Sequence, residues 1–251
     1  MNALSQLLDR ERLLQIATRI VQRILDAIGL RREVQHFRMS YKPSMPTSTT
    51  ARRSALATVE AKLRQDASIT LLVNNAGVGT HTPLLDSDVN AMTRMIDLNV
   101  TALTRLTYAA VPGFVARGKG AVINISSIVA IAPEILNGVY GGSKAFVLGF
   151  SQSLHHELAD KGVQVQAVLP GATATDFWRA GGLPLEHLPK EIVMSAEDMV
   201  DAALTGFDRR ELVTIPSLHA GEEWAAYEAA RQMMSGHLSS SVPAPRYLTV
   251  E

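Results

Sequence analysis

Three short apolar segments, separated by long amphipathic stretches, constrain the fold of this chain more than any other feature. The segments Ile69 to Asn74, Ala121 to Ser126 and Val163 to Leu169 are dominated by Val, Ile and Leu, as buried strands are. The stretches between them exceed the dozen or so residues that a crossover between parallel strands requires. The sequence therefore predicts an α/β fold, a doubly wound parallel sheet with helices on both faces.

Apolar spacing and capping signals predict the helices around these strands. Pro112 is expected to interrupt the second helix, because proline lacks the amide that a helix interior needs. A capping box, Ser195-Ala-Glu-Asp198, indicates the start of the last predicted helix. The predicted helices are Ser54 to Asp66, Asp86 to Arg117, Val139 to Lys161 and 196 to 207, and a last short strand covers Glu211 to Ile215.

The first 55 residues differ from the rest of the chain in charge and pattern. They hold ten Lys and Arg against four Asp and Glu, whereas residues 56–251 hold fourteen against twenty. Leu4 to Leu30 has the spacing of an amphipathic helix and Glu33 to Met39 that of a weak strand, but Arg38 to Ser54 has no apolar period. We expect one domain over residues 1–251, with a degenerate segment at 1–55, a core at 56–216 and an extension at 217–251.

Composition excludes several classes of function. The chain has no cysteine, which rules out a disulfide scaffold, a thiolate nucleophile and a cysteine-ligated metal. Its 24 basic residues are balanced by 24 acidic ones, which argues against general attraction to nucleic acid. No apolar run reaches the roughly 18 residues of a membrane span, and no secretion signal is visible. We therefore expect a cytoplasmic protein without metal, nucleic-acid or membrane partners.

Small and polar residues follow each predicted strand. Asn74-Asn75-Ala76-Gly77 comes after the first, Ser126-Ser127 after the second and Pro170-Gly171 after the third. The carboxyl ends of parallel strands share one rim of the sheet, where ligands bind in this kind of fold. Small residues there allow the backbone to approach a flat ligand, although an ordinary turn after a strand has the same composition.

Tyr140 and Lys144 are four residues apart on a predicted helix, so they share one face. At about 5 Å and an effective dielectric constant of about 20, an ammonium favours the phenolate by roughly 3 kcal/mol, or about two pH units in the pKa. Ser127 precedes Tyr140 by thirteen residues, at the end of the strand that feeds this helix. Its hydroxyl is therefore a candidate to hold a substrate oxygen; the alternative is a surface Tyr–Lys pair.

Asn99 lies in the middle of a predicted helix, where an amide side chain has no intrinsic advantage. One interpretation is a buried asparagine that hydrogen-bonds its own helix. The other is a polar group that holds a water molecule near Lys144. A further segment, Phe177 to Met194, contains Phe177-Trp178 and several Gly and Pro residues. It is either a plain connection or a cover over a moderately apolar substrate.

Together these residues resemble the short-chain dehydrogenase/reductase family. The resemblance covers residues 56–216 and rests on NNAG at Asn74 to Gly77, Asn99 in LNV, Ser127 after NIS, YGGSK from Tyr140 to Lys144, and Pro170-Gly171 followed by Thr175. It implies a Rossmann-like fold that binds NADP or NAD, with NADP favoured. The implied reaction is hydride transfer between the nicotinamide and a small carbonyl or alcohol substrate.

The resemblance also implies a role for each residue. Tyr140 would be the acid/base, Ser127 would polarise the substrate oxygen, and Lys144 would lower the tyrosine pKa and hold the ribose. Asn99 would support a water-linked proton relay to Lys144. Cofactor contacts would come from Tyr140 and Lys144 together with Asn75, Ala76, Gly77, Pro170, Gly171, Thr173 and Thr175. Pairing through the helices that hold Asn99 and Tyr140 would give a homodimer or homotetramer.

The N-terminal segment departs from the family pattern. The family's glycine-rich TGxxxGxG turn holds the pyrophosphate, but the only glycine before Gly77 is Gly29. The first strands are thus expected to be missing or degenerate, with the chain starting late in the family pattern. A shifted reading of the codons for Met45 to Thr50 permits the missing Ala-Asp-Leu, and we hypothesise that Gln22 to Ser54 is frameshifted. The alternative function is accordingly a remnant that binds no cofactor and at most dimerises.

Overall fold

The computed structural model describes residues 49–175 and 177–248. Three predictions fall on residues outside these ranges. They are the helix Leu4 to Leu30, the weak strand Glu33 to Met39, and nearly all of the segment Gln22 to Ser54 that we hypothesise to be frameshifted. Helices and strands alternate through the described chain. They are α1 (Thr49–Gln65), β1 (Leu71–Asn74), α2 (Val89–Ile96), α3 (Leu103–Ala116), β2 (Gly120–Ile125), α4 (Gly138–Leu158), β3 (Val163–Val168), α5 (Phe177–Ala180), α6 (Ala196–Asp208), β4 (Val213–Thr214) and α7 (Gly221–Ser235).

The described strands form one parallel sheet in the order β1-β2-β3-β4. β1 pairs with β2 from Leu71↔Ala121 to Asn74↔Asn124, and β2 pairs with β3 from Gly120↔Val163 to Ile125↔Val168. Each strand thus lies beside the next one in sequence, and each connection contains a helix, as parallel pairing requires. The predicted α/β fold with a parallel sheet is confirmed.

Helices cover both faces of this sheet because successive strand residues point to opposite sides. On one face, Leu72, Val122 and Val165 pack with Phe114 of α3 and Leu154 of α4. On the other face, Leu71 packs against Val200 and Leu204 of α6. Burying a Val or Leu side chain contributes about 1.5–3 kcal/mol, so these contacts hold the helices on the sheet and fix where the strands end.

Pro112 does not interrupt its helix, so that prediction was wrong. Pro112 lies inside α3, which runs on to Ala116. Pro112 and Tyr108, one turn before it, are both exposed, so water can satisfy the carbonyl that the proline leaves unpaired. The irregularity lies earlier, where a π-helical turn, Asp97–Ala102, joins α2 to α3. π-Helical turns are rare in proteins as a whole, and those that occur are often found at functional sites.

The described residues divide into two compact units, one ending at Pro216 and one beginning at Ser217. In the second unit, helix α7 was not predicted from the sequence. Trp224 stacks on Tyr227 with ring centroids 5.3 Å apart, and Arg231 pairs with Glu228. The assignment of the whole chain to one domain stays a prediction. No helix in the described part of the chain combines the length and apolar character that a membrane span needs.

Candidate active site

The three segments predicted to share one rim do meet at the carboxyl ends of β1, β2 and β3. The amide of Ser126 donates to the carbonyl of Val168 at 2.7 Å, and that of Ile128 donates to the carbonyl of Pro170 at 3.1 Å. Ser127 Oγ also donates to the Pro170 carbonyl, at 3.4 Å. The loop after β2 is thereby fixed to the loop after β3, with the Ser127 side chain at the rim.

Helix α4 presents Tyr140 to this rim, and Asn137 fixes where the helix begins. Asn137 Oδ1 accepts from the amides of Val139 at 2.9 Å and Tyr140 at 3.3 Å, which is an N-cap. Its Nδ2 donates to the carbonyl of Thr82 at 2.7 Å. Asn137 therefore ties the start of α4 to the loop after β1. The sequence interpretation missed this residue, although an asparagine just before a helical pattern is a recognised capping signal.

Tyr140 is buried, and the side chain of Ser127 lies near it. Burial raises the pKa of Tyr140 to about 12, while the polar side chain of Ser127 acts to lower it. The sequence-based expectation that Lys144 lowers this pKa stays a prediction, because Lys144 is not among the causes of the shift. It counted the attraction of the ammonium but not the cost of burying a phenolate.

Lys144 lies beside the Tyr140 ring, and its side chain reaches the end of β2. Its Nζ donates to the carbonyl of Ile125 at 2.9 Å and is 5.9 Å from the centroid of the Tyr140 ring. Burial lowers the pKa of Lys144 to about 8. The ammonium thus stands next to the tyrosine, as its four-residue spacing predicts, and its hydrogen bond is to the strand.

Asn99 hydrogen-bonds other elements and not its own helix, so the first of its two interpretations was wrong. It is buried in the π-helical turn, where its Oδ1 accepts from the amide of Val78 at 3.0 Å. Its Nδ2 donates to the carbonyl of Val78 at 2.8 Å and to Ser143 Oγ at 3.0 Å. Asn99 therefore clamps the loop after β1 to α4. Its role in a water-linked relay stays a prediction.

Ser143 connects Asn99 to the start of α4. It is part of the YGGSK motif, but the sequence analysis assigned it no role. Its Oγ donates to the carbonyl of Tyr140 at 2.8 Å while it accepts from Asn99. Its position in the sequence, next to Lys144 and one turn after Tyr140, could have indicated that it belongs to the site. Ser126 acts similarly from the strand side, since its Oγ donates to the carbonyl of Lys144 at 2.7 Å.

The residues predicted to contact a cofactor line the same rim. Asn75 and Ala76 are exposed after β1, and Gly77 is half-buried beside Asn99 and Lys144. A Cβ at Gly77 would lie 3.3 Å from Asn99 Oδ1 and 3.4 Å from Lys144 Nζ. The glycine therefore leaves the space beside these two atoms open. After β3, the predicted residues Pro170 and Gly171 are half-buried, Thr173 is buried and Thr175 is exposed.

An aromatic wall formed by Phe177 and Trp178 stands against Tyr140. The ring of Phe177 is 5.7 Å from that of Tyr140, and Trp178 lies edge-on to Phe177 at 5.7 Å. Trp178 Nε1 donates to the carbonyl of Thr173 at 2.9 Å, which fixes the wall to the loop after β3. The segment from Phe177 thus packs against Tyr140, and its role as a cover over the substrate stays a prediction.

Comparison with known proteins places this chain among enzymes of one kind. The family model for short chain dehydrogenase matches residues 31–182, more than half of the chain. The match begins inside the segment predicted to be degenerate, so the resemblance reaches further toward the N-terminus than residue 56. The frameshift hypothesis stays a prediction that sequencing the gene tests.

Two solved structures share the fold at high identity. A short-chain dehydrogenase from Sphingobium yanoikuyae in complex with NADPH is 47% identical, with a TM-score of 0.76 and coverage of 78% of this chain and 76% of that chain. A bulky-bulky ketone specific alcohol dehydrogenase from Comamonas testosteroni is 45% identical, with a TM-score of 0.71 and coverage of 78% and 74%.

A curated relative matches over a shorter length. The very-long-chain 3-oxoacyl-CoA reductase of Bos taurus is 42% identical over 112 residues, which are 43% of this chain and 36% of that protein. The match thus spans about a third of that relative. With the rim geometry, the family match and the solved neighbours in agreement, this chain belongs to the short chain dehydrogenase family of oxidoreductases.

Proposed function

We propose that this chain catalyses NADP-dependent hydride transfer between the nicotinamide and a small carbonyl or alcohol substrate. The observation that carries the proposal is the placement of Ser127 and the buried Tyr140 at the rim, with Lys144 Nζ 5.9 Å from the centroid of the tyrosine ring. The preference for NADP is supported by the NADPH bound in the 47% identical neighbour.

In this proposal Ser127 and Tyr140 both donate to the substrate oxygen. Burial holds the pKa of Tyr140 at about 12, so the phenol stays protonated at neutral pH. It is therefore ready to give its proton to the oxygen of a carbonyl that is being reduced. In the oxidation direction the same group must first lose its proton, so alcohol oxidation should accelerate as the pH rises.

The residues at the rim fit a dinucleotide with a ribose against Lys144. Among the described residues, Lys144 Nζ has one hydrogen bond, to Ile125, so N–H donors remain for ribose hydroxyls. Gly77 leaves room where a side chain would meet Asn99 and Lys144. When bound, the nicotinamide supplies or accepts the hydride. The residues that would hold the nucleotide are Asn75, Ala76, Gly77, Tyr140, Lys144, Pro170, Gly171, Thr173 and Thr175.

A second candidate function is a dimerising protein that binds no nucleotide. It is favoured by one observation, that Gly29 is the only glycine before Gly77 in the printed sequence, so the sequence contains no TGxxxGxG turn. Charge-assisted hydrogen bonds of the kind this turn makes contribute about 1.5–3 kcal/mol each. Losing two or three of them would weaken binding by several orders of magnitude.

Titration of the purified chain with NADPH and with NADH, followed by nucleotide fluorescence, separates the two candidates. Saturation at micromolar NADPH supports the oxidoreductase and shows which nucleotide is preferred. No saturation up to millimolar concentration of either nucleotide contradicts it. Where binding is seen, reduction of a panel of neutral ketones by the wild type and by Tyr140→Phe tests the assigned proton donor.

We also propose that the chain pairs with copies of itself through α3 and α4. Tyr108 on α3 is 69% exposed, and Phe146 on α4 is 40% exposed while stacked on Phe150. Exposed aromatic side chains on neighbouring helices favour an interface. Light scattering should give a dimer or tetramer that Tyr108→Glu with Phe146→Glu converts to a monomer; a monomeric wild type would contradict the proposal.

A further inference from the structure

Residues 177–193 form a flap that leaves the fold and returns to it at one neck. At this neck the amide of Ala174 donates to the carbonyl of Met194 at 2.8 Å, and Thr173 pairs with Met194 as a short parallel bridge. Trp178 Nε1 adds a hydrogen bond to the carbonyl of Thr173 at 2.9 Å. Both ends of the flap are therefore fixed to each other, and its position depends on what holds its free part.

One carbonyl of the flap, that of Gly181, is bound by the loop after β1. His81 Nδ1 lies 3.2 Å from this oxygen, and because a carbonyl oxygen only accepts, Nδ1 must carry the hydrogen. Thr80 Oγ1 donates to the same oxygen at 3.5 Å, a long and therefore weaker bond. Among the described residues, no other hydrogen bond reaches the flap from outside its neck. His81 is thus the main polar attachment of the free part of the flap.

The loop that holds this carbonyl is itself fixed at both ends. Asn99 binds both backbone groups of Val78 and also bonds Ser143 of α4. Asn137, at the start of α4, binds the carbonyl of Thr82. Both ends of the loop are thereby tied to the helix that carries the tyrosine. The histidine that binds the flap stands between them, on a fixed frame.

Holding Gly181 also holds Phe177 against Tyr140. The amide of Gly181 donates to the carbonyl of Phe177 at 2.9 Å, so the two residues are expected to move together. The ring of Phe177 is 5.7 Å from that of Tyr140. Gly181 lies so close to the loop that a Cβ on it would be 2.9 Å from the carbonyl of Gly79. Release of Gly181 would therefore loosen Phe177 and let water reach the tyrosine ring.

We propose that His81 is a positioning residue whose hydrogen bond to the carbonyl of Gly181 latches the flap against Tyr140. The bond is exposed, so water competes for both partners and the latch can open. An open flap would admit nucleotide and substrate, and a closed one would keep water from the tyrosine. This inference rests on the proposed oxidoreductase function, because it concerns the proton donor of that site.

Hydrogen exchange measures the latch without turnover. In His81→Ala, the amides of residues 177–183 should exchange about fivefold faster or more than in the wild type, because local opening becomes easier. His81→Asn places an amide nitrogen near the position of Nδ1 and should restore slow exchange. His81→Gln places it near the position of Nε2 and should not. Mass spectrometry of peptides from the exchanged protein reads this segment directly.

His187→Ala is the matched control for exchange, because it removes another exposed histidine from the same flap. It should leave the exchange of residues 177–183 at the wild-type rate. Three outcomes overturn the latch: unchanged exchange in His81→Ala, equal rescue by His81→Asn and His81→Gln, or the same acceleration in His187→Ala.

Turnover measures what the latch does for Tyr140. With saturating NADPH, kcat for a ketone that the wild type reduces should fall about tenfold in His81→Ala, because the tyrosine is less precisely held. His81→Asn should stay within about threefold of the wild type, His81→Gln should behave like His81→Ala, and His187→Ala like the wild type. An unchanged kcat in His81→Ala, or a loss that His81→Asn does not restore, overturns the positioning role.

The two experiments separate this inference from the function on which it rests. If the exchange pattern is as expected and the wild type reduces no ketone, the oxidoreductase proposal fails and the latch stands. If the wild type reduces ketones and the flap exchanges equally fast in all variants, the latch fails and the oxidoreductase stands.

Discussion

Helix α4 carries two serine–asparagine pairs built alike, and only one belongs to the candidate active site. Near its start, Ser143 Oγ accepts from Asn99 Nδ2 at 3.0 Å and donates to the carbonyl of Tyr140 at 2.8 Å. Further along, Ser151 Oγ accepts from Asn124 Nδ2 at 2.9 Å and donates to the carbonyl of Val147 at 2.7 Å. We call these the active pair and the structural pair.

The surroundings of the two pairs differ. Asn124 Oδ1 accepts from Asn74 Nδ2 at 2.8 Å, and Asn74 also donates to Thr107 Oγ1 at 3.1 Å. This network joins β1, β2, α3 and α4 through neutral side chains. The active pair instead adjoins Tyr140 and Lys144, whose pKa values burial moves to about 12 and about 8. The buried, hydrogen-bonded asparagines indicate a contribution to stability in both pairs. Only the active pair has titratable neighbours at a strand end, which indicates a role in chemistry.

The largest difference between the two ends of α4 is expected from Tyr140→Phe. Removing the proton donor should lower kcat about a thousandfold, within the range of general acid catalysis, while NADPH binding and thermal stability stay near wild type. Tyr108→Phe is the control, because Tyr108 is 69% exposed on α3. Steady-state ketone reduction and nucleotide fluorescence measure both. Retained turnover in Tyr140→Phe would remove the chemical distinction between the pairs.

Lys144→Met should lose activity about a hundredfold or more without losing stability at pH 7. The ordinary pKa of 10.5 falls to about 8 in the folded protein, so burying the ammonium costs about 3 kcal/mol below pH 8. Between about pH 8 and 10.5 the unfolded chain binds more protons than the folded one, so wild-type stability gains from this group as pH rises.

Urea unfolding of both proteins from pH 7 to pH 10 isolates this contribution. The free energy of unfolding of Lys144→Met minus that of the wild type should be largest at pH 7 and shrink toward pH 10. Other titrations cancel in the difference. A difference that is constant with pH would mean that the ammonium is not destabilised by burial.

The sequence predicted more of the active end of α4 than of the structural end, for a physical reason. Tyr140 and Lys144 share one helix face, so their four-residue spacing alone brings them together. Asn74, Asn124 and Ser151 belong to three elements, and their contacts depend on strand register and helix packing. The net rise of the tyrosine pKa could not be predicted for the same reason, since it comes from burial, and residues distant in sequence such as Phe177 pack on the ring.

Replacing the asparagine of each pair, by Asn99→Ala and Asn124→Ala, should separate an effect on catalysis from an effect on stability. Asn99 holds Val78 by two hydrogen bonds and Ser143 by a third, so its loss should release the loop beside Lys144 and lower kcat/KM about tenfold to a hundredfold. Asn124→Ala should cost about 1–3 kcal/mol of unfolding free energy and leave kcat/KM per folded molecule unchanged. If both variants changed kcat/KM equally, the position of the loop after β1 would not depend on the active pair.

The serines give the smallest effect and the most closely matched test. Ser143→Ala and Ser151→Ala each remove a hydroxyl that accepts from an asparagine and donates to a carbonyl of α4. Each should therefore lower the unfolding free energy by about 1–3 kcal/mol. Only Ser143→Ala loosens Asn99 and the carbonyl of Tyr140, so only it should lower kcat/KM, by about fivefold for roughly 1 kcal/mol of lost positioning. Urea unfolding and steady-state kinetics on the same preparations decide this, and a fivefold loss in Ser151→Ala would mean that the whole helix, and not its active end, positions the tyrosine.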